Sequence, residues 1–383
     1  MKAIRIKSID LHAVSVPLVE GLRTSYGAEP LKTAVLVELT TESGLVGWGE
    51  CPTKPNPSYS YETMGTSLHV LTEFLIPKLI GQAIDDATQV PALLKSVRGF
   101  PMAKYAVEAA VWDALAQANA MSLAQSFAQH LPDGHESRGY ATVGVSIGIQ
   151  ESLDETLAII KKRVDQGYGR IKLKIEPGWD IELARAVREA FPDVSLMLDA
   201  NSAYSLNDSE HLKQLDALDL LMLEQPLGYN DIYEHSKLQP QLETAVCLDE
   251  SIHTADDVRL AIALGACKII NLKPARVGGY TESLEIYRVC VEHDMALWIG
   301  GMLETGIGRA ANVAFASMPG VTLPCDISAT DRYYDPDITE PPFVLGEQSR
   351  IAVPDGVGLG VEIQRDRIVE AESRWQQHYP YKV

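Results

Sequence analysis

From residue 141 onward the chain repeats one pattern eight times: a short apolar run ending in polar residues, then a longer segment with apolar residues three and four apart. The runs are ATVGVSIGI, RIKLKI, VSLMLDAN, LDLLMLEQP, AVCLDES, CKIINLKP, MALWIGG and VTLPCD. Short apolar runs bounded by turn residues predict strands. The spacers, such as LDETLAIIKKRVDQG, TADDVRLAIALGA and YTESLEIYRVCVEHD, have the single apolar face of a surface helix. Repeated β/α units predict an α/β fold whose parallel strands close into a barrel. Functional groups in such a barrel stand at the C-terminal ends of the strands, so the polar residues closing each run are where chemistry is expected.

The flanks break the repeat. Residues 7–18 and 32–51 alternate, with ELTTESGLVGWGE turning at a Ser-Gly pair, which predicts a three-stranded meander. YETMGTSLHVLTEFLIPKLI and MAKYAVEAAVWDALAQANA change to a helical period. After about residue 330, PPFVLGEQSRIAVPDG and GVEIQRDRIVE read as strands and turns. The predicted organisation is an α+β capping domain over 1–130, a barrel over 131–330, and a segment over 331–383 that returns to the capping domain. A chain of 383 residues suits two domains, and the lack of a Gly/Ser-rich linker predicts close docking.

Charge and cysteine usage narrow the partners. The 52 Asp and Glu against 33 Lys and Arg give a net charge of -19, the wrong sign for gripping nucleic acid or an anionic membrane surface. Cys51, Cys247, Cys267, Cys290 and Cys325 show no metal-ligand or redox spacing, which fits reduced thiols in a cytosol. The N-terminal MKAIRIKSIDLHAVSVPL alternates charged and apolar residues, unlike a signal peptide, and no stretch approaches the roughly 20 apolar residues of a membrane span. A cytoplasmic protein acting on a small molecule is expected.

Three consecutive runs end in a carboxylate: Asp199 in SLMLDAN, Glu224 in LLMLEQP and Asp249 in AVCLDES, each 25 residues after the last. One alternative is that each merely caps the helix after its strand. Regular spacing, and the poor capping of Glu, favour three anions gathered at one rim, where a cation relieves their repulsion. An all-oxygen set suits Mg²⁺, with Mn²⁺ as a second choice. In GRIKLKI, alternation turns Lys172 and Lys174 to the same side, and KIINLKP ends in Lys273, so lysine-bearing strands bracket the carboxylate-bearing ones. Burial and a nearby metal both disfavour an ammonium, so a lysine here is expected to titrate at about 7 to 8 and act as a base. Removing a proton next to a carboxylate puts two negative charges on the carboxyl group, which a divalent cation offsets.

With IKLKI, LDAN, LEQPL, LDES, NLKPARVGG, GGMLETGIGRAANVA and LPCDISATDRYY, the chain resembles the enolase superfamily, muconate-lactonizing-enzyme subgroup. Within it the chain is most similar to the o-succinylbenzoate synthase and N-acylamino acid racemase family, over almost its full length. The resemblance implies a modified TIM-type (β/α)7β barrel with an α+β capping domain, and a homo-oligomer. It implies Asp199, Glu224 and Asp249 as metal ligands and Lys174 and Lys273 as paired acid/base groups. Lys172 would hold the substrate carboxylate or steady the enediolate. Ser146, Asn201, Met302 and Glu304 would line the pocket, with Tyr26 in a cap loop over residues 21–30 that closes it. Ala275 and Cys325 stand where the family pattern leads one to expect glycine. The implied activities are dehydration to o-succinylbenzoate and racemisation of N-acylamino acids, then dipeptide epimerisation or muconate-type cycloisomerisation; a catalytically silent ligand-binding relative is the reading from another class.

Other motifs carry less. GVSIG, residues 144–148, matches a nucleophile elbow, but that motif needs a sharp strand-to-helix turn and here it lies inside an alternating run. GGMLETGIG lacks the Lys-Ser/Thr of a phosphate loop and reads as a turn after the seventh strand.

Overall fold

The computed structural model describes residues 2–24, 27–132 and 134–379, and the side chains of 22–29 are left aside. The N-terminal part opens with the expected antiparallel meander: β1 (Ile4–Thr24), β2 (Gly27–Thr41) and β3 (Val46–Cys51) in the order β3-β2-β1. Helix α1 (Pro101–Ala118) lies against β3. Gly47 and Gly49 permit this contact, because a Cβ on either would stand 2.2 Å from the Ala110 carbonyl oxygen or 2.0 Å from that of Ala106. Helix α1 is buried on all sides, and its two acids, Glu108 and Asp113, are tied to other parts of the chain. Asp113 accepts from the Trp48 and Leu359 amides (both 2.9 Å), and Glu108 from the Thr281 amide (2.7 Å).

The repeat region folds into a seven-stranded parallel sheet: β4 (Val145–Ile147), β5 (Arg170–Lys174), β6 (Ser195–Asp199), β7 (Leu223–Glu224), β8 (Val246–Leu248), β9 (Ile269–Leu272) and β10 (Ala296–Ile299), each hydrogen-bonded to the next. The eighth run, VTLPCD, forms no regular strand, because Pro324 has no amide proton to give a ladder. It still closes the barrel. Asp326 donates its amide to the Ile299 carbonyl (2.9 Å) on one side, and Cys325 exchanges bonds with Thr142 and Gly144 (2.8 Å each) on the other. The fold is thus the expected α/β barrel with an antiparallel cap.

One expectation fails near the C-terminus. RDRIVE, read as strand, belongs to a helix, α2 (Arg365–His378). Its buried residues Ile368, Ala371 and Trp375 fall three and four apart, and Arg365 and Glu372 tie it to Glu38 and His12 of the meander. The strand Arg350–Ala352 pairs instead with Tyr140–Thr142 at the entry to the barrel. All five cysteines are buried and free, and among the described residues no helix is long and apolar enough to cross a membrane.

Candidate active site

Register places the charged residues. Lys174 pairs with Asp199 and Asp199 with Glu224 across neighbouring strands, so β5, β6 and β7 end level. Asp249 lies one residue past β8, and Lys273 one past β9. The three carboxylates therefore occupy adjacent strand ends, with Lys174 and Lys273 on the strands either side.

Each carboxylate faces the barrel interior rather than a following helix. Lys172 Nζ lies 3.1 Å from Asp199 Oδ2, 3.1 Å from Glu224 Oε2 and 2.5 Å from Asp326 Oδ2. Lys174 Nζ donates to Asp199 Oδ2 at 2.5 Å and to Asn201 Oδ1 at 2.7 Å. Lys273 Nζ contacts Asp249 Oδ2 and the Tyr59 hydroxyl at 2.8 and 2.9 Å. Glu224 Oε1 accepts from Asn271 Nδ2 at 2.6 Å, and Asp249 Oδ1 pairs with Arg276. Capping of the next helix is thus not the role of Glu224 or Asp249.

Electrostatics in this cluster are uneven. Burial raises the Asp199 pKa, but Lys174 and Lys172 outweigh it and hold the group below its ordinary range. For Glu224, burial and then Asp199 prevail, and its pKa is pushed up to about 8. The same balance of burial and Asp249 takes Glu250 to about 7. Lys273 and Lys172 are shifted upward by these carboxylates. Burial works to lower both, but Asp249 beside Lys273, and Asp326 and Glu224 beside Lys172, carry them above the ordinary lysine value.

The donor set fits a hard divalent cation. Three carboxylates from consecutive strand ends converge on the barrel mouth, each at most 1% exposed, with no sulfur or imidazole among them. Burial first, and then the neighbouring Asp199 charge, disfavour the ionised form of Glu224, and a cation would offset both. Among the described residues no three acidic, His or Cys side chains are already grouped around one common point, because the oxygens turn onto the lysines.

One cavity joins the three lysines to the cap, with Asp199, Glu224 and Asp249 buried behind its wall. It is lined by Lys172, Lys174, Lys273, Ser146, Asn201 and Met302, with Asp326, Tyr333, Gly301 and Leu303 from the barrel and Lys32, Thr33, Pro52, Lys54 and Tyr59 from the N-terminal part. Ser146 lies inside β4, not on an elbow, and donates to Asp326 Oδ2 at 2.9 Å. Asn201, with φ at 41°, also donates to Glu250 Oε1 at 3.0 Å. Glu304 is not brought to the cavity wall. Its carboxylate accepts from the Met302 amide (2.8 Å) and Asn312 Nδ2 (3.1 Å), bracing the loop behind. Tyr26 lies outside the described residues. Cys325 turns its sulfur to the Ile299 amide at 3.3 Å.

Sequence reasoning missed several members. Asp326 closes the eighth apolar run as Asp199 closes the third, so the same rule finds it. Asn271 stands two before Lys273, as Lys172 does before Lys174. Arg170, 2.6 Å from Asp326, stands two before Lys172, so the alternation that aligns the lysines finds it as well, whereas the cap residues Lys32 and Tyr59 carry no such signal.

Residues 8–127 match the family described as mandelate racemase / muconate lactonizing enzyme, N-terminal domain, and residues 155–367 that described as enolase C-terminal domain-like. The chain belongs to the enolase superfamily. It is 45% identical over 363 residues to an o-succinylbenzoate synthase of Bacillus subtilis, covering 95% of each chain. To an N-succinylamino acid racemase of Amycolatopsis it is 46% identical over 358 residues, 93% of this chain and 95% of the relative. A solved enolase superfamily structure from Listeria innocua superposes with a TM-score of 0.91 at 41% identity, over 96% of this chain and 97% of that one. A dipeptide epimerase from Cytophaga hutchinsonii, complexed with Mg and the dipeptide D-Ala-L-Val, superposes at 0.86 with 26% identity, over 96% and 98%. Enolase superfamily members use Mg²⁺.

Proposed function

We propose that this protein removes the proton α to a carboxylate of a small molecule, through an enediolate, in dehydration to o-succinylbenzoate, in racemisation of N-succinylamino acids, or in both. The observation that carries the reading is the pair Lys174 and Lys273, which line one cavity from strands on either side of three buried carboxylates. Identities of 45% and 46% to relatives with these two names, against 26% to the dipeptide epimerase, support this choice over dipeptide chemistry. A silent binding protein would not need opposed amines.

Asp199, Glu224 and Asp249 would hold Mg²⁺, or Mn²⁺ in its place. When bound, the cation supplies positive charge to the substrate carboxylate as the α-proton leaves. Lys174 Nζ takes that proton, with Asp199 and Asn201 fixing where its lone pair points. Lys273, held as an ammonium by Asp249, stabilises the carbanionic face from the far side and in racemisation returns a proton there. Lys172, 5.1 Å above the Trp298 ring and braced by Asp326, adds a fixed charge beside the carboxylate. Tyr59 and Pro52 of the cap line the same cavity, and the Tyr59 hydroxyl lies 2.9 Å from Lys273 Nζ.

Parallel assays test the reading: aromatic product from the cyclohexadiene substrate, and deuterium uptake at the α-carbon of an N-succinylamino acid, each with Mg²⁺ and with chelator. Metal-dependent turnover in at least one supports it; silence in both refutes it.

A further inference from the structure

Met302 and Leu303 line the cavity from the loop over residues 300–305, which follows β10. Leu303 lies in the left-handed region, with φ at 55°, a backbone that a leucine keeps only where its surroundings impose it. At the other end of the loop, Gly300 packs directly on the reaction centre: a Cβ there would stand 2.2 Å from Asn271 Oδ1 and 2.8 Å from Lys273 Cε. The position of the loop and that of the Lys273 stem are therefore set together.

A hydrogen-bonded chain reaches this loop from the cap. Tyr105 of α1 has its hydroxyl 3.2 Å from that of Tyr280, the first residue of the helix Tyr280–Glu292. Tyr280 donates to Asn312 Oδ1 at 3.0 Å, Asn312 Nδ2 donates to Glu304 Oε1 at 3.1 Å, and Glu304 Oε2 accepts from the Met302 amide at 2.8 Å. All four side chains are at most 5% exposed, so water competes little for these bonds. The chain has one direction. A carboxylate only accepts, which turns the Asn312 amide nitrogen to Glu304 and its oxygen to Tyr280. The Tyr280 proton is spent on that oxygen, so Tyr105 is the donor at the far end.

We infer that Asn312 and Glu304 are positioning residues: with Tyr280 and Tyr105 they tie the loop after β10 to the cap helix, and through Gly300 that loop fixes where Lys273 stands. The inference rests on the proposed two-lysine reaction and adds to it a set of side chains behind the cavity wall. They act on proton transfer through Lys273 alone, because Lys174 is held by Asp199 and Asn201 instead.

Asn312→Leu cuts the chain between Tyr280 and Glu304, and two measurements read the result. Backbone deuterium uptake, followed by mass spectrometry without substrate, should quicken about 10-fold across residues 300–305 and stay unchanged across β6. Exchange of the α-proton in the presence of Mg²⁺ should fall about 10- to 100-fold for the N-succinylamino acid enantiomer whose proton faces Lys273, and less than about 3-fold for its mirror image. Tyr280→Phe, which keeps the ring and removes the donor, should move both readouts the same way by less, and replaces the leucine variant if that one does not fold. Unchanged uptake in the loop overturns the inference. So does an equal fall for both enantiomers, which marks a loss of folded protein rather than a misplaced Lys273. A wild type that exchanges neither enantiomer refutes the proposed racemisation instead, and the loop uptake then decides the inference by itself.

Discussion

Glu50, at the end of β3, clasps the cap to the barrel. Its carboxylate oxygens accept from the Thr305 amide at 3.1 and 3.0 Å, the Thr305 hydroxyl at 2.7 Å and the Gly308 amide at 3.1 Å, at the start of the helix Gly306–Ala316. Glu50→Ala leaves two buried amides without an acceptor, at about 1–3 kcal/mol each, so a loss of roughly 2–5 kcal/mol in unfolding free energy is expected. The size of that loss depends on pH. Burial pushes the Glu50 pKa up to about 7; Lys32 opposes the shift and Glu304 adds to it. A carboxyl bound more tightly to its proton when folded contributes most below its unfolded pKa of about 4.5, and that contribution is lost as pH rises towards 7. A gap of about 2.5 pH units corresponds to roughly 3 kcal/mol. Glu50→Ala should therefore destabilise more at pH 5 than at pH 8, by an amount of that order. Urea unfolding of both proteins at the two pH values measures it. An equal loss at both, or a larger one at pH 8, would refute the reasoning and mean that the helix amides and Lys32 keep Glu50 ionised throughout.

Three further outcomes follow from the site. Lys172→Met strands Asp199, Glu224 and Asp326 without their shared cation, and should cost about 3–5 kcal/mol in urea unfolding, partly restored by millimolar Mg²⁺. For Ser146→Ala, which removes one bond to Asp326, a fall of about 3- to 10-fold in kcat/KM in steady-state assays and a loss of about 1 kcal/mol in urea unfolding are expected. Chelation should lower the midpoint of thermal unfolding as well as activity, since a cation bound only by the folded protein stabilises it; an unchanged midpoint counts against the three-carboxylate site.

Much of this was legible before any coordinates. The barrel followed from the repeat, because period 2 and period 3.6 segregate along the chain. Asp199, Glu224 and Asp249 followed because a strand end is fixed by where its apolar run stops. Asp326 escaped although it closes the eighth run by the same rule, since it stands apart from the three acids on consecutive runs whose regular spacing drew attention. Lys32 and Tyr59 could not be read at all: they reach the cavity only through domain docking, which local sequence does not encode. RDRIVE was misread because only Ile368 within it is buried; the helical spacing shows only when Ala371 and Trp375 beyond it are counted. The protonation of Lys273 depends on its 2.8 Å contact with Asp249, a distance no spacing rule supplies.

The most direct test of the central claim is the rate of α-proton exchange into deuterated solvent by Lys174→Ala, followed by NMR with each enantiomer of an N-succinylamino acid. With Lys174 as the base on one face and Lys273 on the other, exchange from one enantiomer falls by about 10²- to 10⁴-fold, and that from its mirror image falls much less. Wild-type rates with both enantiomers would contradict the assignment of Lys174, and with it the opposed-lysine site.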